Sequence, residues 1–415
     1  MVEKETLRKV VFSQKNREKN TGITREITYE VNLDDDRIII LSGIRRVGKT
    51  TILYQLMEKV DNFCYFNFDD ERLTGFEMNE FERLNEILIE FYGDSEYYFF
   101  DEIQNVSGWE RFVRRLQDEG KKVIVTGSNA SLLSSEFGTH LTGRYKLYEV
   151  FPLSFKEFLR FNDFNLDSIN LLNSKDKVSL VEQFKKYLNK GGMPQYLKNE
   201  DEDYVKTLFE NIIYRDIVSR YSLKSSKYIT ELSTYLVTNL SKLTTYNSLK
   251  NMLGLSNAST VKNYIQYLNN SYLFFELNKF DYSLKKQLRN PKKVYLVDNS
   301  FKKILGFNFS KDIGRLLENL VFVELKRRGK NIYYHKENKE CDFVLKDGND
   351  INQAYQICYS LNDENRDREV EGLFDALKSY NLDEGIILTY DQKEEISYKN
   401  KKMKVIPVWF WLIEN

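Results

Sequence analysis

Between Arg37 and Val150, short apolar runs alternate with stretches in which apolar residues recur every three or four positions. The runs Arg37 to Leu41, Phe63 to Phe68, Tyr97 to Phe100, Val123 to Thr126 and Tyr145 to Val150 have the length and the β-branched or aromatic content of buried strands. Strands that alternate with helices build a parallel sheet covered by those helices, so this part of the chain is expected to be an α/β unit. From Ser154 to about Tyr221 the period becomes helical, and Gly191-Gly192-Met193-Pro194 is its sharp interruption. Two helical segments then flank Leu253-Gly254-Leu255-Ser256, and the apolar run Tyr272 to Leu277 follows, the pattern of a helix-turn-helix with a wing. After Lys292 the expected order is a strand, a helix (Asp312 to Arg328), strands at Asn331 to His335, Cys341 to Leu345 and Ala354 to Tyr359, a helix (Glu364 to Tyr380) and a strand (Glu384 to Thr389). That is a second α/β unit.

A chain of 415 residues is too long for one ordinary core, and 41% hydrophobic with 30% charged residues is the composition of a folded, soluble protein. The 62 basic and 62 acidic side chains cancel, so any surface for nucleic acid must be local. Cys64, Cys341 and Cys358 are widely separated and odd in number, which fits reduced thiols in a cytoplasmic setting. No apolar run approaches the length of a membrane span, and Met1 to Asn20 is charged throughout, so the protein is expected to be unanchored. His140 and His335, with no close cysteine pair, offer zinc almost no ligands.

The first α/β unit carries the most specific chemistry. Gly43-Ile44-Arg45-Arg46-Val47-Gly48-Lys49-Thr50 fits the pattern G-x-x-x-x-G-K-[ST], with a strand before it and an amphipathic helix after it. Gly43 and Gly48 let backbone N–H groups turn inward around phosphate oxygens, and the following helix adds the positive end of its dipole. Lys49 is expected to reach the β- and γ-phosphates, Thr50 to hold magnesium, and Thr51 to complete the nucleotide contacts. Tyr97-Tyr98-Phe99-Phe100-Asp101-Glu102 is an apolar strand ending in two carboxylates, Asp101 for the metal and Glu102 to polarise the attacking water. Both acids together separate hydrolysis from mere binding. Val123 to Thr126 leads to Asn129, placed to orient water or contact the γ-phosphate. Arg144 is either a guanidinium aimed at a neighbouring subunit's phosphoryl group or a surface arginine.

These segments resemble the prokaryotic AAA+ ATPases that carry an uncharacterised C-terminal domain. The residues that carry the likeness are Gly43 to Thr51, Phe100 to Glu110, Thr126 to Leu133, Leu141-Thr142-Gly143-Arg144 and Phe151 to Phe158. The resemblance covers nearly the whole chain. It implies ATP as the nucleotide, a sensor role for Asn129, an arginine-finger role for Arg144 and a homo-oligomer. It also matches Gly191-Gly192-x-Pro194 to a lid motif near the nucleotide, with Arg215 as a weaker lid sensor. Four domains are expected on this basis: an ATPase core (1–152), a helical lid (153–225), a winged helix (226–291) and a nuclease-like unit (292–415).

Within the winged helix, Leu255, Val261, Ile265 and Leu268 suit a small core, while Asn257, Ser259, Thr260, Lys262 and Asn263 would face outward toward DNA. Lys285, Lys286, Arg289, Lys292 and Lys293 follow without an intervening acid and predict a positive wing. Packing against another protein domain is the alternative use of such a fold. In the last unit Glu318, Asp342 and Gln356 stand on a helix and two strands in an order that resembles the PD-(D/E)xK nuclease core. The matching tripeptide is Gln356-Ile357-Cys358: an amide replaces the acid and the lysine is missing. Metal binding is therefore expected to be weak or absent and strand cleavage inefficient; Arg368 is a poor substitute because it stays charged. The leading expectation is an ATPase whose cycle moves lid and winged helix on DNA or a DNA-bound partner. The alternatives are a low-turnover nucleotide switch that engages a protein and an ATP-regulated nuclease.

Overall fold

Five of the apolar runs form strands: β1 (Ile38–Gly43), β2 (Phe63–Asn67), β3 (Tyr97–Asp101), β4 (Lys122–Gly127) and β5 (Tyr145–Val150). They make one parallel sheet in the order β2-β3-β4-β1-β5. All six residues of β1 are buried, as an internal strand of a sheet covered on both faces requires. In the computed structural model, residues 2–128, 143–306 and 313–414 are described. The chain divides into two compact units, residues 1–150 with 270–272, and residues 151–269 with 273–415. Among the described residues no helix is long and apolar enough to cross a membrane.

The first unit is sealed by aromatic packing. Phe66, Phe68, Phe81, Phe100 and Phe112 are buried together, with Phe81 and Phe112 stacked at 4.5 Å between ring centroids. The helix Lys4–Lys15, unforeseen in the sequence, buries Leu7, Val10 and Val11 in the same core. Chain order in the sheet reverses beside β1, which has β4 on one side and β5 on the other. In open α/β sheets, the crevice beyond the carboxyl ends of the strands at such a reversal is where ligands bind. The ends of β1 and β3 fall at Gly43 and Asp101.

The second unit begins with the helices Phe155–Phe161, Ser174–Lys190, Pro194–Asn199 and Glu202–Asn211. Gly191 adopts φ +71°, and a Cβ there would lie 1.9 Å from Asp298 Oδ1. The Gly192 N–H donates to Asp298 Oδ2 at 2.6 Å, so the two glycines seat a buried carboxylate. The helices Lys227–Thr238, Tyr246–Met252 and Ala258–Asn270 precede the antiparallel pair β6 (Phe274–Asn278) and β7 (Lys292–Leu296). Thr244 adds an antiparallel bridge to Lys292, and the connection between β6 and β7 contains the helix Leu284–Arg289. After helices Asn299–Leu305 and Ile313–Arg327 comes a mixed sheet of β8 (Asn331–Lys336), β9 (Glu340–Asp347), β10 (Asp350–Ile357), β11 (Glu384–Thr389), β12 (Glu394–Tyr398) and β13 (Lys401–Pro407). Its order is β12-β13-β11-β10-β9-β8, with helix Arg366–Ser379 between β10 and β11 in sequence and Val408–Glu414 after β13. β12, β13 and that last helix are absent from the sequence reading.

Candidate functional site

The loop between β1 and the helix Lys49–Met57 is shaped by backbone that few side chains tolerate. Gly48 has φ +100° and Arg46 φ +65°, so successive peptide groups turn into a nest. At Gly43 a Cβ would come within 2.2 Å of the Val150 carbonyl oxygen, because β5 lies directly alongside. Ile44 and Val47 are buried and anchor the loop, whereas Arg45 is half-buried and Arg46 exposed. Lys49 is buried and folds back to donate to the carbonyls of Gly43 (3.1 Å) and Ile44 (3.2 Å). Thr50 donates its hydroxyl to Asp101 Oδ2 at 2.7 Å, and Thr51 follows half-buried on the same helix. A loop with left-handed backbone at Arg46 and Gly48 leading into a helix N-terminus, an ammonium beside it and a hydroxyl paired with a carboxylate are a donor set that fits a polyphosphate and magnesium.

The carboxylates differ in environment. Asp101 is buried, and burial together with the neighbouring Glu102 charge pushes its pKa up to about 6, against the hydrogen bonds from Thr126 and Thr50. Burial also works against the Glu102 charge, yet Lys49, Gln104 and Arg45 hold its pKa below the ordinary value. Glu102 Oε1 lies 3.6 Å from Lys49 Nζ, and Oε2 accepts from Gln104 Nε2 at 2.5 Å. The Glu102 backbone is left-handed at φ +51°, strain of a kind that collects at functional sites.

Several partners were not foreseen. β4 lies between β1 and β3, so its Thr126 reaches the acids: the hydroxyl donates to Asp101 Oδ1 at 2.5 Å and accepts from the Glu102 N–H at 2.9 Å. Asn67, at the end of β2, donates to Asp101 Oδ2 at 3.3 Å. The buried Arg25 donates to the Val47 carbonyl inside the loop at 3.0 Å. Gln55 accepts from the Arg25 N–H and donates to the carbonyls of Thr21 and Ile23, tying the segment before β1 to the loop's helix. A lone arginine and glutamine outside any motif carry no sequence signal of this role.

Asn129 lies outside the described residues. Arg144 stands at the amino end of β5, where Tyr145 pairs with Ile38, while Gly43 pairs with Val150 at the other end. Six residues of strand separate it from the phosphate loop by about 20 Å. Its guanidinium pairs with Asp118. Arg144 can therefore serve no phosphate bound in its own loop. In the second unit, Arg215 is exposed.

The expected basic wing is corrected. Lys285, Lys286 and Arg289 are exposed, but Lys292 and Lys293 are buried, Lys292 donating to the Gln287 carbonyl. Asn257, Ser259, Lys262 and Asn263 are exposed and Thr260 is half-buried; Val261, Ile265 and Leu268 are core, while Leu255 is only half-buried.

Glu318, Asp342 and Gln356 come together around a cavity of about 410 Å³ that Glu340, Arg368 and Glu369 also line. Lys293, 2% exposed, occupies the acidic side of the cluster. Its ammonium donates to Asp342 Oδ1 at 2.8 Å and Glu318 Oε1 at 3.1 Å, and lies 2.9 Å from Glu340 Oε1. Burial opposes that charge, but Asp342 and Glu318 hold the lysine pKa well above its ordinary value. Burial in turn pushes the Glu318 pKa up, against the pull of Lys293. Gln356 donates to Glu369 at 2.6 Å, and Arg368 is paired with Glu369. Among the described residues no group of three or more His, Cys, Asp or Glu side chains is arranged to hold a metal ion.

Residues 35–159 match the family model described as an AAA domain, and residues 181–310 match a domain of unknown function, DUF8612. The chain is 35% identical over 410 residues to the uncharacterised protein MJ1544 of Methanocaldococcus jannaschii, covering 94% of this chain and 90% of the relative. An uncharacterised protein of Haemophilus influenzae is 29% identical over 400 residues, covering 92% of this chain and 95% of the relative. Among solved structures, the chain is similar to the RuvB Holliday junction branch migration motor of Thermotoga maritima at 15% identity and a TM-score of 0.29, over 66% of this chain and 87% of that one.

Proposed function

We propose that this chain, which belongs to one family with the protein MJ1544 of Methanocaldococcus jannaschii and carries an AAA domain, hydrolyses ATP as a homo-oligomer and couples its nucleotide state to domain movement on DNA or on a DNA-bound partner. The observation that carries the reading is the joint geometry of the loop Gly43 to Thr50 and the acids that follow β3. Lys49 and the loop N–H groups would hold the phosphates, with Thr51 beside them. Thr50 and Asp101 would hold magnesium, which supplies charge neutralisation when bound. Glu102 orients water and takes its proton as the water oxygen bonds to the γ-phosphorus and ADP leaves. Asn129 is assigned the γ-phosphate sensor, and Arg144, remote from its own loop, the arginine finger of a neighbouring copy.

Along the sequence we divide the rest of the chain into a lid (153–225), a winged helix (226–291) and a nuclease-like unit (292–415). Three helices, strand β6 paired with β7 just beyond the boundary, and an exposed basic helix between those strands support the winged-helix reading. Asn257, Ser259, Lys262 and Asn263 with Lys285, Lys286 and Arg289 would form the DNA-facing surface. A low-turnover switch is the weaker reading, because Glu102 stands ready beside Lys49. The deciding experiment is ATP turnover by the purified full chain and by Lys49→Ala: loss of turnover is expected, and an unchanged rate removes the mechanism.

A further inference from the structure

We infer that Lys293 is the resident cation of the C-terminal cavity, a tethered ammonium in the place a divalent ion would take, so that this unit works without a metal. A lysine ammonium has three N–H donors. Here three carboxylates surround it at 2.8 to 3.1 Å: Glu318 from helix Ile313–Arg327, and Glu340 and Asp342 from β9. Glu340 and Asp342 are two residues apart and point to the same face of their strand, which is why one ammonium can meet both.

The lysine is held there by backbone as well as charge. Lys293 pairs with Leu277 across β6–β7, and the preceding residue, Lys292, exchanges both backbone hydrogen bonds with Thr244 at 2.8 Å. The remaining oxygen of Asp342 accepts the Ile357 N–H at 3.0 Å, and Glu318 also accepts the Tyr295 hydroxyl at 2.6 Å. The acids are thus oriented around nitrogen at hydrogen-bond distance, wider than the roughly 2.0–2.6 Å at which magnesium or calcium takes oxygen. Gln356, whose amide donates to Glu369, adds no charge to the three carboxylates, so the ammonium is their one close counter-charge among these contacts.

The inference concerns the second unit alone and does not rest on nucleotide chemistry. Its test is Mn²⁺ binding to the nucleotide-free full chain, followed by electron paramagnetic resonance, for wild type, Asp342→Asn, Lys293→Met and the double variant. Wild type and Asp342→Asn should bind the same number of ions per chain. Lys293→Met should gain one ion, with a melting temperature that rises on adding Mn²⁺, and the double variant should lose both effects. One ion fewer per chain in Asp342→Asn than in wild type would overturn the inference, and so would a folded Lys293→Met that gains none. Should Lys293→Met fail to fold, the comparison of wild type with Asp342→Asn still decides: equal uptake upholds the tethered cation and unequal uptake refutes it.

Discussion

Replacing Glu102 with Gln keeps the side-chain shape and removes only its charge. The carboxylate accepts from Gln104 and faces Lys49 across 3.6 Å, and an amide oxygen can keep the first contact while losing the second. A correctly placed general base contributes about 10²- to 10⁴-fold, so Glu102→Gln is expected to slow ATP turnover by that factor, about 3–5 kcal/mol of barrier. The effect on binding has the opposite sign. At an effective dielectric of about 20, an ion pair at 3.6 Å is worth at most about 5 kcal/mol. Lys49 is also tied to the Gly43 and Ile44 carbonyls, so only part of that attraction competes with phosphate. The variant should therefore bind Mg-ATP as tightly as wild type or up to about tenfold more tightly. Steady-state phosphate release and calorimetric titration measure the two quantities separately. Turnover above a tenth of wild type, or affinity tenfold weaker, refutes the role assigned to Glu102.

Gly43→Ala must push β5 away from β1, since its Cβ would lie 2.2 Å from the Val150 oxygen; a cost of about 1–3 kcal/mol is expected, and an unchanged thermal melt would show that the strands part freely. Burial lowers the pKa of His335, which contacts the Tyr380 hydroxyl and Asp375, below its ordinary 6.5. The unfolded chain then binds the extra proton first on acidification, so the contribution of His335 is complete above pH 6.5 and is lost as pH falls through the lower, folded value. Urea melts between pH 7.5 and 5 should accordingly fall less steeply for His335→Gln than for wild type, and parallel slopes would exclude the effect. Replacing Lys285, Lys286 and Arg289 together with Ala should weaken duplex binding across sequences and flatten its log-affinity against log-salt slope by up to about 3; an unaltered slope in fluorescence anisotropy would remove those residues from the DNA surface.

The parallel strands of the first unit were legible because internal strands read as unbroken apolar runs, and the residues at their carboxyl ends, Gly43, Lys49, Thr50, Asp101 and Glu102, come together in the fold as the pattern predicts. Neighbourhood across the sheet was not legible. Nothing in the spacing says that β4 inserts between β1 and β3, and the Thr126 contacts with both acids depend on that order. The helix Lys4–Lys15 is hidden in the sequence because its Leu7, Val10 and Val11 form a thin apolar stripe in a charged segment. β12 is hidden because Glu394–Tyr398 is largely polar, as an edge strand tolerates. Counting Lys292 and Lys293 as wing charges treated a strand as a surface. Successive side chains of β7 leave on opposite faces, and here both faces are covered.

The phosphate loop is fastened from outside its own strand and helix by the Arg25 guanidinium, and Gln55 on that helix holds the segment carrying Arg25 in place. A fragment cut to begin at β1 would retain every motif residue and still lack the clasp that sets the Val47 carbonyl. The nucleotide-binding cassette is therefore not portable: transplanted without residues 21–25, it should hold its ligand in a looser grip.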